Sequence, residues 1–308
     1  MDLEPTLLQP VIGSKLDPEA SHSYLLLKRI KDDVFNTEDM HNYELSLMIG
    51  LNDFQFCIVN QNQRVVLFES YLFESVKTVN SRVHALMEIF KNNHVLMAGF
   101  WKTIRVAFKT HKYTLVPNNL YEETSNLDYL EVNSRINTTI ETTHHYEHSE
   151  LKLVNIYVGD FRILQWLKSI YKLKKLIILH QGSALIEGIR KIQQDVDKEL
   201  FISVDRGVFH VLIFANSNLH YYNQFSMKSN DDFLRYIMLV FQELSLDQRQ
   251  TKTIFWGNFT ENSDLILLIK KYVRHVALGK RPKELKFGYQ FDELFDHEHF
   301  DLFNIYSC

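Results

Sequence analysis

The feature that most constrains this chain is an internal echo. Phe54, Phe56, Asn62, Val79, Val83, Met87 and Phe90 find counterparts 154 positions later in Val208, His210, Asn216, Phe233, Ile237, Phe241 and Leu244. Each copy runs the same way. In the first, residues 44–51, 54–60 and 64–73 are rich in β-branched and aromatic types, with Asn, Asp and Gln between them, which predicts a three-strand meander. Val79, Val83, Leu86, Met87 and Phe90 then recur at the helical period. In the second, 200–204, 208–214 and 219–227 read as strands and Phe233, Ile237, Val240, Phe241 and Leu244 as a helical stripe. Ser229 and Asp232 supply a capping box for that helix. Each copy then opens a further strand with Lys-Thr-Ile, at 102–104 and at 252–254, now 150 apart. A shorter helix-to-strand loop accounts for the slip. A repeat of about half the chain is too long for a solenoid and implies two similar lobes.

Between the copies, residues 139–148 and 151–158 read as strands, 161–171 as a helix, 175–180 as a strand and 183–194 as a helix. Strands alternating with helices predict an α/β fold with parallel neighbours and helices on the sheet faces. Residues 118–137 are polar and suit an excursion with a short helix. The expected division is a tail or edge strand over 1–23, a first lobe over 24–196 and a second over 197–308.

Charge and composition exclude several classes. With a net charge of −4 a polyanion is not the obvious partner, so no nucleic-acid partner is expected. Glycine and proline number only 10 and 5, against a glycine-rich phosphate cradle. Cys57 and Cys308 make no disulfide framework, which suits a reducing cytoplasm. The N-terminal Met-Asp-Leu-Glu-Pro lacks the basic-then-apolar order of a secretory signal. Apolar runs such as 265–269 stop far short of a membrane span, so no membrane insertion is expected.

Two consecutive units of this kind resemble the actin-like ATPase fold. This duplicated ribonuclease-H-like architecture is shared by actin, sugar kinases, heat-shock chaperones and the pilus-assembly M and type II secretion L proteins. The run 102–119, KTIRVAFKTHKYTLVPNN, and the meander-plus-helix over 201–244 look similar to an uncharacterised bacterial family assigned that fold. The resemblance covers most of 24–290. It implies a cleft between lobes, with the first hairpin turn of each lobe facing nucleotide phosphates. Nucleotide-binding members carry Asp-x-Gly there, for backbone approach and for a metal-bound water. Asp205-Arg206-Gly207 fits that pattern, although Asp and Gly are also ordinary hairpin residues. In the first lobe the 154-residue offset brings Leu51-Asn52-Asp53 to the turn. Leu51 then replaces the carboxylate, and Asp53 replaces the glycine with a negative charge. The adenosine-side Gly-Gly turn is reduced to Trp256-Gly257-Asn258-Phe259. The candidate nucleotide-side residues are thus Asn52, Asp53, Asp205, Arg206, Gly207, Gly257 and Asn258.

Other clusters are less specific. His144, His145, Glu147 and His148, and likewise Asp296-His297-Glu298-His299, hold metal-ligating types. Strand alternation splits the first set between two faces, and a solvated strand is the favoured reading over a metal site. Lys168, Lys172, Lys174 and Lys175 suit a helix C-terminus or an acidic partner. Gln181-Gly182-Ser183 begins a helix without the Lys-Ser/Thr ending of a P-loop. No histidine motif accompanies Cys57 as a nucleophile would need. The C-terminal rings from Phe287 to Tyr306, interleaved with acids, could dock into a partner's groove, but packing on the protein's own core is the favoured reading.

The expectation is a non-catalytic, degenerate actin-like protein acting as a cytoplasmic interaction scaffold with a protein partner, and with a homodimer open. No bound cofactor is expected; the alternative is an ATPase or small-molecule kinase using ATP and Mg²⁺.

Overall fold

The computed structural model describes residues 23–74, 78–194 and 198–308. All but Ser23 of the expected tail over 1–23, and the expected lobe junction at 196/197, lie outside the described residues. The first unit runs β1 (Tyr24–Lys31), β2 (Glu44–Ile49), β3 (Asp53–Val59), β4 (Arg64–Phe73), α1 (Val79–Lys91), α2 (His94–Met97) and β5 (Thr103–Phe108). A three-stranded insert follows: β6 (Tyr113–Pro117), α3 (Asn126–Glu131), β7 (Glu141–His148) and β8 (Leu153–Asp160). The unit closes with α4 (Phe161–Ile170), β9 (Leu176–His180) and α5 (Gln181–Arg190). The second unit runs β10 (Glu199–Asp205), β11 (Val208–Ala215), β12 (Asn218–Ser226), α6 (Asn230–Glu243), β13 (Lys252–Gly257), α7 (Asp264–Ile269) and β14 (Val276–Leu278). Last come β15 (Lys286–Phe287) and α8 (Phe300–Asn304).

The two main sheets have one topology. The first is ordered β4-β3-β2-β5-β9 with β1 added outside β4, and the second β12-β11-β10-β13-β14. In both, the first strand of the meander pairs antiparallel with the second and parallel with the strand after the helix. A side-chain detail repeats as well: Lys102 Nζ sits 2.9 Å from Glu44 of β2, and Lys252 Nζ sits 2.9 Å from Glu199 of β10. The shared Lys-Thr-Ile therefore ties each fourth strand to the start of the first by the same ion pair.

β2 and β3 are buried along their whole length because both faces of their sheet are covered. Period-2 alternation divides them. Leu45, Leu47, Ile49, Phe54, Phe56 and Ile58 enter one core with α1 and α4, while Met48, Cys57 and Val59 enter another. The C-terminal segment supplies much of that second core. β15 pairs parallel with β4, and Phe291, Leu294, Leu302, Phe303 and Ile305 pack beside Cys57 and Val59. Most of its rings thus bury on the chain itself, whereas Tyr289 and Phe295 stay exposed. Burial pushes the Cys57 thiol up to about 12, so it is an inert core residue.

The gapless 154-residue register needs correcting. The helix N-caps are Thr78 and Ser229, 151 apart, since the second unit has the shorter passage from third strand to helix. The buried stripes follow that spacing: Leu86 with Ile237, Ile89 with Val240 and Phe90 with Phe241. Met87, expected in the stripe, is exposed. Among the described residues, no helix is long and apolar enough to cross a membrane.

Candidate functional site

Both first hairpins point into the space between the units. In the second, Arg206 and Gly207 carry φ of +47° and +79°. Two consecutive left-handed residues make the tight turn whose twist suits a hairpin, and glycine takes one of them without strain. Gly207 lies at the tip, where its carbonyl accepts from Met227 N–H at 2.7 Å. In the first hairpin, Gly50 N–H donates to the Asp53 carbonyl at 2.9 Å, closing the turn around Leu51 and Asn52. Gly50 therefore corresponds to Asp205 and Asn52 to Gly207, one position away from the expected alignment. The pair of metal-facing carboxylates is still absent, because Asp53 stands where the second lobe has Val208.

Asp53 and Asp205 nevertheless meet, through a residue the sequence reading passed over. Lys109 follows the last residue of β5, and its Nζ lies 2.6 Å from Asp53 Oδ2 and 2.6 Å from Asp205 Oδ2. Arg206 Nε stands 3.7 Å and 3.8 Å from the same two carboxylates. Two cations thus face two anions, with the Lys109 and Asp53 side chains only 10% and 5% exposed. Burial opposes charge on Lys109, yet Asp205, Asp53 and Asp301 together hold its ammonium well above the ordinary lysine range. Burial raises Asp53, and Lys109 offsets only part of this, so its carboxyl stays above the usual value. Asp205 is drawn below its usual value because Lys109 and Arg206 outweigh its desolvation.

Around this clasp the C-terminal segment and α5 add a polar lattice. Gln55 Nε2 donates to Asp53 at 3.2 Å, and its Oε1 accepts from His299 Nδ1 at 3.2 Å. Tyr222 O–H donates to His210 Nδ1 at 3.0 Å, His210 Nε2 to Gln181 Oε1 at 3.1 Å, and Gln181 Nε2 to Asp301 at 2.6 Å. A Cβ on Gly182 would stand 2.1 Å from the Tyr222 hydroxyl. The start of α5 is therefore filled by the chain's own groups.

Two cavities flank the clasp. One of about 430 Å³ touches Asp205, Arg206, Gly257 and Asn258. The other, of about 360 Å³, touches Asn52, Asp53, Lys109, Asp205 and Arg206. Six of the seven candidate residues are brought together in this way, and Gly207 lines neither. Gly257 has its N–H engaged by the His297 carbonyl at 2.9 Å and a φ of +144°. An added Cβ would lie 2.5 Å from the Val204 carbonyl oxygen. Gly257→Ala is expected to cost about 2 kcal/mol, read as a lower urea midpoint at unchanged m. Trp256 beside it is buried, donating to the Lys280 carbonyl at 3.1 Å and stacking on Phe300 at 4.5 Å.

Among the described residues, no group of three or more His, Cys, Asp or Glu is arranged to hold a metal ion. The solvated-face expectation for residues 144–148 fails at His148. It is fully buried and lies 2.6 Å from Glu187 of α5. His144 is stacked on Tyr157, where burial lowers its pKa to about 4. His297 Nε2 meets the Phe259 carbonyl at 2.6 Å.

Comparison with known proteins identifies the family. A family model described as a protein of unknown function (DUF3822) matches residues 32–276. The chain belongs to the DUF3822 family. Among solved structures, a Bacteroides thetaiotaomicron protein with an actin-like ATPase fold and unknown function superposes with TM-score 0.74 at 17% identity, over 89% of this chain and 99% of that one. The PilM-PilN type IV pilus biogenesis complex gives TM-score 0.57 at 10% identity, over 86% and 98%. This DUF3822 chain therefore has the actin-like ATPase fold. A search of curated proteins finds no match.

Proposed function

We propose that this DUF3822 protein is a non-catalytic actin-like scaffold of the cytoplasm that holds its two lobes together without nucleotide and binds a protein partner. The observation that carries this reading is the Lys109 ammonium, 2.6 Å from one hairpin carboxylate of each lobe. In a cleft that grips a metal triphosphate, a divalent ion takes oxygen ligands and cations and backbone N–H groups face the phosphates. Here both carboxylates are already spent on a lysine and Arg206 leans on the same pair. A triphosphate entering would displace satisfied charges and meet Asp53. The adenosine side argues the same way, because the Gly257 N–H and its missing side chain serve the His297 carbonyl and the Val204 carbonyl. The partner half of the reading draws on PilM, a protein of this fold solved together with PilN.

Thermal unfolding with and without ATP and Mg²⁺ tests the proposal. No shift in Tm is expected up to several millimolar nucleotide. A ligand present at 100 times its Kd would add about 2.7 kcal/mol and shift the midpoint by several degrees. Such a rise, lost again in Asp205→Asn, would establish the active ATPase or kinase reading instead.

A further inference from the structure

At the edge of the first sheet remote from the clasp, the chain collects lysines and exposed apolar side chains. β5 and β9 are adjacent and parallel, with Ile104 opposite Leu176, so the segments leading into both lie side by side. The Tyr171 hydroxyl donates to the Leu96 carbonyl at 2.7 Å and pins the turn after α4 to α2. On this edge Leu173 is 93% exposed, Phe100 60% and Met97 49%. Leu173 is flanked by Lys172, Lys174 and Lys175, and Lys168 and Lys91 close the neighbouring helices α4 and α1.

The charge pattern is one-sided although the chain as a whole carries −4. Residues 89–121 and 161–186 contain no aspartate or glutamate. The carboxylate brought in from β2, Glu44, is buried and spent on Lys102 and Arg105. Compensation of the α4 dipole would account for Lys168. It does not account for three lysines beyond the helix surrounding a leucine that touches almost nothing.

We propose that this edge adsorbs to an anionic lipid bilayer, with Leu173, Phe100 and Met97 entering the headgroup boundary and the lysines meeting lipid phosphates. Shape favours a bilayer over a peptide. Leu173 stands 93% exposed, and five cavities found among the described residues include none of Leu173, Phe100 and Met97. A fluid interface needs apolar points and basic charge but no groove. The association is peripheral and goes beyond the scaffold reading, which stands or falls separately.

Co-sedimentation of the whole protein with 100 nm vesicles tests this. Binding is expected to phosphatidylcholine vesicles containing ~30% phosphatidylglycerol, to be absent from pure phosphatidylcholine, and to weaken as salt rises. The triple variant Lys172→Gln, Lys174→Gln, Lys175→Gln should partition roughly 100-fold more weakly, at about fivefold per lysine. Leu173→Ala should lose about tenfold while keeping the salt dependence. Both changes lie on the surface, and an unchanged Tm shows that each variant is folded. Equal binding to neutral vesicles, or full binding by the triple variant, overturns the proposal. So does failure of the wild type to bind anionic vesicles while it captures an acidic Leu-Glu peptide through these lysines, which would make the face a protein dock.

Discussion

Lys109→Met should lower the unfolding free energy by about 4 kcal/mol at pH 7.5, because removing one partner of a buried ionic cluster leaves the others uncompensated. The methionine fills much of the volume, so the loss is chiefly electrostatic. Asp53 and Asp205 would be left facing each other with only Arg206, at 3.7 Å and 3.8 Å, to balance them. Urea denaturation reads this as a lower midpoint at unchanged m. The pH response supplies a signature. With the ammonium gone, at least one carboxyl of the pair is raised above its unfolded value near 3.9. The folded state then binds more protons than the unfolded state, so the deficit relative to wild type narrows as pH falls from 7.5 toward 5. Neutralising all three positions, as Lys109→Met, Asp53→Asn and Asp205→Asn together, should recover most of the loss. A deficit below about 1 kcal/mol for the single variant would mean the clasp is not what joins the lobes, and the scaffold reading would lose its main support.

The parts of this fold that could be read from sequence are those encoded by local period. Strand alternation over 54–60 and 208–214, the stripes over 83–90 and 233–244, and the twice-used Lys-Thr-Ile sufficed for two lobes of one topology. One member of the first lobe's helix stripe, Met87, was misassigned, and the repeat offset was misjudged by three, since a loop-length difference outside the periodic segments shifts the helix equivalence from 154 to 151. The candidate site was only half readable. The hairpin carboxylates are marked by turn chemistry, but Lys109 reaches Asp53 across 56 positions and Asp205 across 96. One signal could have found it: a lone lysine directly after an apolar parallel strand, at the carboxyl edge where clefts of α/β sheets open. His148 was misread because alternation assigns a face and not what covers it, and the cover here is Glu187 on α5. For the C-terminal rings the sequence favours the protein's own core over a partner's groove, and most of them pack there, beside Cys57 and Val59.

Acid should unfold the protein well above the pH at which its carboxylates titrate. His180 and His210 are fully buried and each is bonded as the neutral form. His180 donates from Nε2 to the Thr110 carbonyl at 2.9 Å and accepts at Nδ1 from Asn155 at 3.0 Å. His210 donates to Gln181 and accepts from Tyr222. A proton added at either Nδ1 would face another donor. Burial chiefly drives the two pKa values down, to about 3 for His180 and about 4 for His210. An unfolded histidine titrates near 6.5, so between about 6.5 and 4 the unfolded chain binds protons that the folded chain refuses. Stability therefore falls as pH falls, by up to about 1.4 kcal/mol per unit for each histidine and about 3 kcal/mol for the pair between pH 6.5 and 5. That is a large share of a typical total of about 5–15 kcal/mol. The lowered pKa of Asp205 adds its own loss only below about pH 4, which separates the two effects. Burial lowers His144 and His299 to about 4 as well, so urea midpoints at pH 7.5, 6.5, 5.5 and 5.0 should show the slope and His210→Gln should remove about a quarter of it while retaining one hydrogen bond to the lattice. An equal slope in that variant would place the acid sensitivity elsewhere. The loss at His210 also bears on the clasp, since the chain from Tyr222 through His210 and Gln181 ends on Asp301, whose charge helps hold Lys109 protonated between the lobes.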